Sequence, residues 1–418
     1  MKQNWTFIFF LVAIFLLLSC NRKDASGEKS GVTIQQIDPA MIQARPDKGF
    51  VITYRWYTGS VIEHDSVMIR IVDGKGEVVL IDDHNLPEEF SGTEGAIEYT
   101  RIITLPVWEV RDNRTFKAIL PEGSYKILGG MFNKNTGKPI ELEKGKGVKI
   151  EGDTMYLIGN LKLENDAEVP GPGKASLDLS DYHLTFSEEF QDLSVSPWGP
   201  CGEGGTRWIA HTPWDGDFGD AEFVDPEQGF PFSIEDGILR IEVRKINGEW
   251  KSGLLSAADP EGRGFDQRLG YFECRVKFPE GPGTWPAFWL MGKKNLEQAT
   301  EPTINPEIDI VEHYGHWPNR FSYVLHLWGR GGAESVHKGK RIKVFGVEDD
   351  FHTYGVLIDE DYMILYFDGV EKDRMEVPEE VKVPLYPIVN LALGPGWPTD
   401  KTPDPCYMYV DYIRVYSK

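Results

Sequence analysis

Apolar and polar positions alternate with a period of two along most of this chain, and the strand is the element with that period. Between residue 30 and about residue 165 the runs are short and rich in branched and aromatic side chains: "FVITYRWY", "SVMIRIVD", "GEVVLIDD", "AIEYTRIITL", "TFKAIL", "GSYKILGGMF" and "TMYLIGNLKL". Gly, Pro and Asp turns separate them, which predicts about seven strands in a small β-sandwich of immunoglobulin-like type over 31–164. No catalytic constellation falls within it; it binds carbohydrate or spaces the next domain from the membrane. "ENDAEVPGPGK" has no hydrophobic period and reads as a linker over 165–176. From 177 to 418 alternation resumes in "ILRIEVRK", "GYFECRVKF", "WPAFWLMG", "EIDIVEHY", "YGVLIDEDYMILYFDG", "YPIVNLALG" and "YMYVDYIRVY". That is one sandwich or jelly roll of roughly 240 residues. The predicted fold class is all-β throughout.

The first residues break the pattern. An apolar run ends in Leu17-Leu18-Ser19-Cys20 and is too short for a comfortable membrane span, which suits an export signal over 1–20. Its closing L-L-S-C resembles a bacterial lipoprotein box, which implies lipid attachment at Cys20 and a disordered tether over 21–30. The expected location is outside the cytoplasm, anchored by lipid and facing the periplasm or the exterior. Beyond the lipid no membrane contact is expected. Three cysteines remain, Cys201, Cys274 and Cys406. An odd number cannot pair fully, Cys274 sits in an alternating strand and reads as core, and a Cys201–Cys406 bond stays open.

Charge narrows the partners. The 66 acidic residues outnumber the 44 basic ones, for a net charge of -22, which disfavours nucleic acid and anionic membranes and suits a neutral polysaccharide. The expected protein is a monomer.

Chemistry concentrates in "PEIDIVEHYG", residues 306 to 315. Strict alternation puts Glu307 and Asp309 on one face and Glu312 on the other. The three acids are therefore either one site on an irregular strand or part of a solvated acidic face. Trp285 and Trp289, about twenty residues earlier, are natural platforms for sugar rings.

The chain resembles glycoside hydrolase family 16, retaining endo-β-glycanases on a concanavalin-like β-jelly roll, over about residues 183 to 418. The resemblance rests on "FSEEF" (186–190), "SGLLS" (252–256), "GYFECRVKFPEGPGTWPAFWLMG" (270–292), "EIDIVEHYG" (307–315), "FHTYGV" (351–356), "YFDG" (366–369), "NLALG" (390–394) and "YVDYIRVY" (409–416). One departure is Ile358, where members usually carry Trp. The acidic signature here is the longer of two versions, and its extra residue implies a β-bulge involving Val311. A bulge resets alternation and returns Glu312 to the face of Glu307 and Asp309.

The resemblance implies Glu307 as nucleophile, Glu312 as general acid and then base, and Asp309 as the residue that tunes the nucleophile. Around them Trp285 and Trp289 read as stacking residues or as core, His326 as a contact of the acid/base or substrate or as a satisfied core histidine, and Asn390 as a further contact. The loop "GTRWIAHTPWDGDFGD" (205–220) is expected in the cleft wall through Trp208 and His211. Glu189 and Asp411 match the places of a structural Ca²⁺ on the convex side, and catalysis is expected to need no cofactor. The expected activity is endo-hydrolysis of β-1,3- or mixed-linkage β-1,3-1,4-glucan. Alternatives are a galactan- or agarose-cleaving, O-glycan-cleaving or transglycosylating relative, or a non-catalytic carbohydrate-binding lipoprotein.

Overall fold

A strand that buries one face must find a second apolar face, and this chain does so twice. The structure, a computed structural model, describes residues 29–59, 65–90, 94–152, 154–214, 216–297 and 301–418. The export signal, Cys20 and most of the tether lie outside the described residues.

The first unit spans the strands from Lys29–Ile34 to Tyr156–Leu163. Its main sheet closes around a core that includes Ile34, Tyr54, Trp56, Ile69, Ile127 and Leu161. Two pairings are parallel: Lys29–Ile34 with Pro139–Lys144, and Met41–Ala44 with Tyr156–Leu163. A separate hairpin, Trp108–Arg111 with Arg114–Lys117, projects from it. Residues 172–177 then run along the strand Val370–Glu376, held by bonds from Lys372 Nζ to the Pro172 carbonyl and from the Ser176 amide to the Gly369 carbonyl.

The second unit is two sheets packed face to face, the jelly-roll arrangement. One sheet runs, in spatial order, Leu254–Ser256, Leu385–Leu393, Thr284–Gly292, Thr303–Glu312, Arg320–Arg330 and Val336–Lys343, with two short strands beyond Leu254–Ser256. The other is centred on Cys406–Ser417, Gly270–Lys277 and His352–Ile358. Phe288, Leu290, Ile308, Phe321, Tyr323, Leu325, Val389 and Leu391 point between the sheets into one core. By alternation Trp289, Glu307, Asp309, His326 and Asn390 stand on the opposite face. Ile358, the departure noted above, is buried in the inter-sheet core.

Cys201, Cys274 and Cys406 are all buried and free, so the 201–406 bond is not formed. Cys274 is fully buried core.

Candidate active site

The strand Thr303–Glu312 pairs with Thr284–Gly292 on one side and Arg320–Arg330 on the other. Against the first, Asp309 faces Trp289 and Val311 faces Phe288, which leaves Ile310 without a partner. Against the second, Asp309 faces Val324 and Glu312 faces Ser322, so two residues oppose one. This is the expected bulge, and the skipped residue is Ile310, one position before Val311. Its cause is visible in the burial: Ile310 and Val311 are consecutive, yet both are completely buried in the inter-sheet core. Two successive core residues cost one step of alternation, and Glu312 swings back to the face of Glu307 and Asp309.

Each carboxyl has its own set of donors. The Trp328 indole N–H donates to Glu307 Oε2 over 3.0 Å. His326 Nε2 lies 3.1 Å from Asp309 Oδ2 and 4.0 Å from Glu307 Oε1. Glu312 Oε1 accepts two bonds, from Trp285 Nε1 at 2.9 Å and from the Tyr314 hydroxyl at 3.0 Å. His326 is backed by His337, with the two Nδ1 atoms 2.6 Å apart, and Trp328 stacks on its ring. Gly315 permits the close crossing just beyond: a Cβ there would stand 1.9 Å from the Gly281 carbonyl oxygen.

Burial and mutual repulsion set the proton affinities. Loss of water around Glu307, with Asp309 beside it, pushes its carboxyl up to about 8, against the pull of His326 and Trp328. Asp309 is held well above the usual carboxylate range by burial first and then by the charge of Glu312. Burial also raises Glu312, opposed by its Trp285 and Tyr314 donors. Three carboxyls in one desolvated strip do not all ionise together near neutral pH. That leaves at least one as a proton donor beside a carboxylate, the pairing that acid-assisted displacement needs.

The other predicted site residues divide. Trp289 is nearly buried and donates its indole N–H to Asn390 Oδ1 at 2.8 Å. Asn390 is itself fully buried, so it braces Trp289 rather than touching a substrate, a correction to its expected role. Trp285 is partly exposed, stacks on Tyr314 and meets Phe218 edge-on. The loop around residues 214 and 218 does reach this region, through Trp214 and Phe218 against Trp289.

Trp208 does not line it. Its side chain is 1% exposed in the inter-sheet core, and its indole N–H is bonded to the buried Glu188 at 2.9 Å. An aromatic in an irregular loop has the composition of a contact, but here a buried carboxylate claims its one donor. His211 is nearly buried, bonded to Asp225 and stacked on Trp198.

The proposed calcium ligands do not fit the ion either. Glu189 is engaged by both Nε and Nη2 of Arg414, and Asp411 is paired with Arg275. Two acids already neutralised by two guanidinium groups are no cage for a cation.

Trp328, Tyr314 and His337 were not foreseen. Trp328 and His326 are two apart on one strand, so alternation from His326 would have found it. Tyr314 lies two past Glu312 in the quoted stretch. His337 carries no sequence signal, because only strand pairing sets it opposite His326.

Residues 237–414 match the family described as glycosyl hydrolases family 16. The chain is 33% identical over 266 residues to the endo-1,3-1,4-beta-glycanase EglC of Rhizobium meliloti (strain 1021), covering 58% of this chain and 53% of that protein. It is 32% identical over 268 residues to the endo-1,3-1,4-beta-glycanase ExsH of the same organism, covering 58% and 54%. The chain thus spans about half the length of these curated relatives. Among solved structures it is similar to the laminarinase catalytic domain from Thermotoga maritima MSB8, at 27% identity and a TM-score of 0.44, covering 57% of this chain and 98% of that one.

Proposed function

The C-terminal domain of this chain belongs to glycosyl hydrolases family 16, and from that premise we propose that the protein is a retaining endo-β-glycanase. Its proposed substrate is a β-1,3- or mixed-linkage β-1,3-1,4-glucan; the two Rhizobium relatives are named endo-1,3-1,4-beta-glycanases. The observation that carries the reading is the bulge at Ile310, which brings Glu312 onto the face of Glu307 and Asp309.

In the proposed first step Glu307 attacks the anomeric carbon in its ionised form, which burial makes the minor form below about pH 8 and which the pull of His326 and Trp328 favours. The bond to the leaving oxygen breaks, and that oxygen takes the Glu312 proton. In the second step Glu312, now a carboxylate, removes a proton from water; the water oxygen attacks the same carbon and Glu307 departs. Two inversions give net retention. Asp309, between them and beside His326, holds a proton or a charge as Glu307 changes state. Trp328 keeps Glu307 in its rotamer. No cofactor enters these steps. Export with lipid at Cys20 is part of the same proposal and rests on the N-terminal sequence.

The test is release of reducing ends from laminarin, lichenan, agarose, carrageenan and mucin glycans, with the anomer of the first product read by NMR. Release from laminarin or lichenan with the β-anomer formed first is the expected result. Release from the galactans or mucin glycans alone removes the glucan assignment, and initial α-anomer removes the retaining mechanism.

A further inference from the structure

The strand that ends at Glu312 and the strand that carries His326 and Trp328 are joined by a turn over 316–320. The first unit of the chain grips that turn. The Thr115 hydroxyl donates to Asp400 Oδ1 at 3.0 Å and lies 3.4 Å from His316 Nε2. The Gly283 amide donates to His316 Nδ1 at 3.2 Å, so the ring proton belongs on Nε2, aimed at Thr115. Asn319 Nδ2 donates to the Asp47 carbonyl at 2.8 Å, and Arg320 Nη2 reaches Thr104 Oγ1 at 3.5 Å. On the neighbouring edge strand Lys343 Nζ donates to the Ile102 carbonyl at 3.1 Å.

A buried charge completes the contact. Lys48, from the turn 45–48 of the first unit, is 6% exposed, and its ammonium sits 2.6 Å from Asp349 of the second. Next to Asp349, Glu348 is buried and bonded to His313 Nε2 at 2.9 Å. His313 directly follows Glu312, and its other ring nitrogen bonds the Arg320 carbonyl at 3.1 Å. The ammonium has given up water while the Asp349 side chain stays 42% exposed, so letting go strands the Lys48 charge in particular, with Asp47 Oδ2 3.8 Å away as its other acid.

We propose that the first unit is a fixed buttress of the catalytic centre rather than a spacer. It clamps the turn 316–320, and through Tyr314 and His313 it sets the position of Glu312. Lys48 and Thr115 are positioning residues. The turn also connects directly to the site, since the Trp317 amide donates to the Tyr314 carbonyl at 2.7 Å and the Tyr314 hydroxyl holds Glu312. The inference rests on the proposed hydrolase reading for its kinetic effect but not for the docking itself.

The experiment uses the full chain and the substitutions Lys48→Met, Thr115→Val and Lys48→Arg, each assayed on laminarin and lichenan at a temperature where circular dichroism shows it folded. The expected result is a kcat lowered about five- to tenfold in Lys48→Met and Thr115→Val, with KM changed less than twofold and Lys48→Arg recovering most of the loss. Calorimetry is the second readout: the unsubstituted chain unfolds in one cooperative transition, and Lys48→Met separates it into two. Unchanged kcat in both variants overturns the positioning role, and two independent transitions in the unsubstituted chain overturn the buttress. Should the unsubstituted chain cleave none of the glucans, the hydrolase reading falls, and calorimetry still decides the docking.

Discussion

Trp285 and Tyr314 donate to one and the same oxygen of Glu312, Oε1, at 2.9 and 3.0 Å. In the proposed mechanism, occupation of Oε1 as an acceptor places the Glu312 proton on Oε2, the oxygen then offered to the leaving group. Both donors favour the charged form, so removing one raises the Glu312 carboxyl further. In Tyr314→Phe the alkaline limb of the kcat/KM profile moves up by about one pH unit, the equivalent of about 1.4 kcal/mol. A limb that stays in place or moves down counts against Glu312 as the acid.

Glu307→Gln removes the proposed nucleophile, and kcat falls at least about 10³-fold. The same substitution changes stability in the opposite direction. Burial lifts the Glu307 carboxyl from its ordinary 4.5 to about 8, so between those values the folded chain keeps a proton that the unfolded chain releases. Its contribution is present below about 4.5 and is lost as pH rises through about 8. Glu307→Gln therefore raises Tm at pH 8, where about 2–4 °C accompanies each kcal/mol, and leaves it nearly unchanged at pH 4. Equal shifts at both pH values would exclude this linkage.

Parity along the signature strand gives a sharper test. Deleting Ile310 leaves Glu307, Asp309 and the shifted acid on regular alternation, all on one face. That variant loses about 2–5 kcal/mol with the buried side chain but keeps measurable hydrolysis. Deleting Ile308 instead sets Glu307 and Asp309 side by side on opposite faces and abolishes it. The pair of deletions is compared by reducing-end release and chemical denaturation.

Trp208→Ala is a core truncation. Stability drops by about 3–5 kcal/mol, both from the lost ring and from leaving Glu188 without its indole donor. The folded fraction keeps its KM for polysaccharide, measured below the lowered Tm. A several-fold rise in KM would return Trp208 to the cleft.

Chelation tests the convex side. Because Arg414 and Arg275 already neutralise Glu189 and Asp411, EDTA or added calcium shifts Tm by less than about 1 °C. A larger calcium-dependent rise would show that the guanidinium groups give way to an ion.

What was legible in the sequence came from period and order. Alternation announced an all-β chain, and the parity of Glu307, Asp309 and Glu312 by itself demanded a bulge if the three were to share a face. Roles that depend on which face a residue meets were not legible. Trp208 and Asn390 have the composition of sugar contacts, but the one donor of Trp208 is consumed by a bond inside the fold and Asn390 is fully buried behind Trp289.

The sequence by itself determined an all-β chain and the acidic triple Glu307, Asp309 and Glu312, because strand period and residue type are local properties. Only the tertiary structure decided that Ile310 is the skipped residue, since two neighbouring strands and one core must agree on it. Only it supplied His337, which strand pairing sets against His326. And only it brought Lys48 to Asp349, 301 positions away in the chain, where a buried ammonium needs a carboxylate partner.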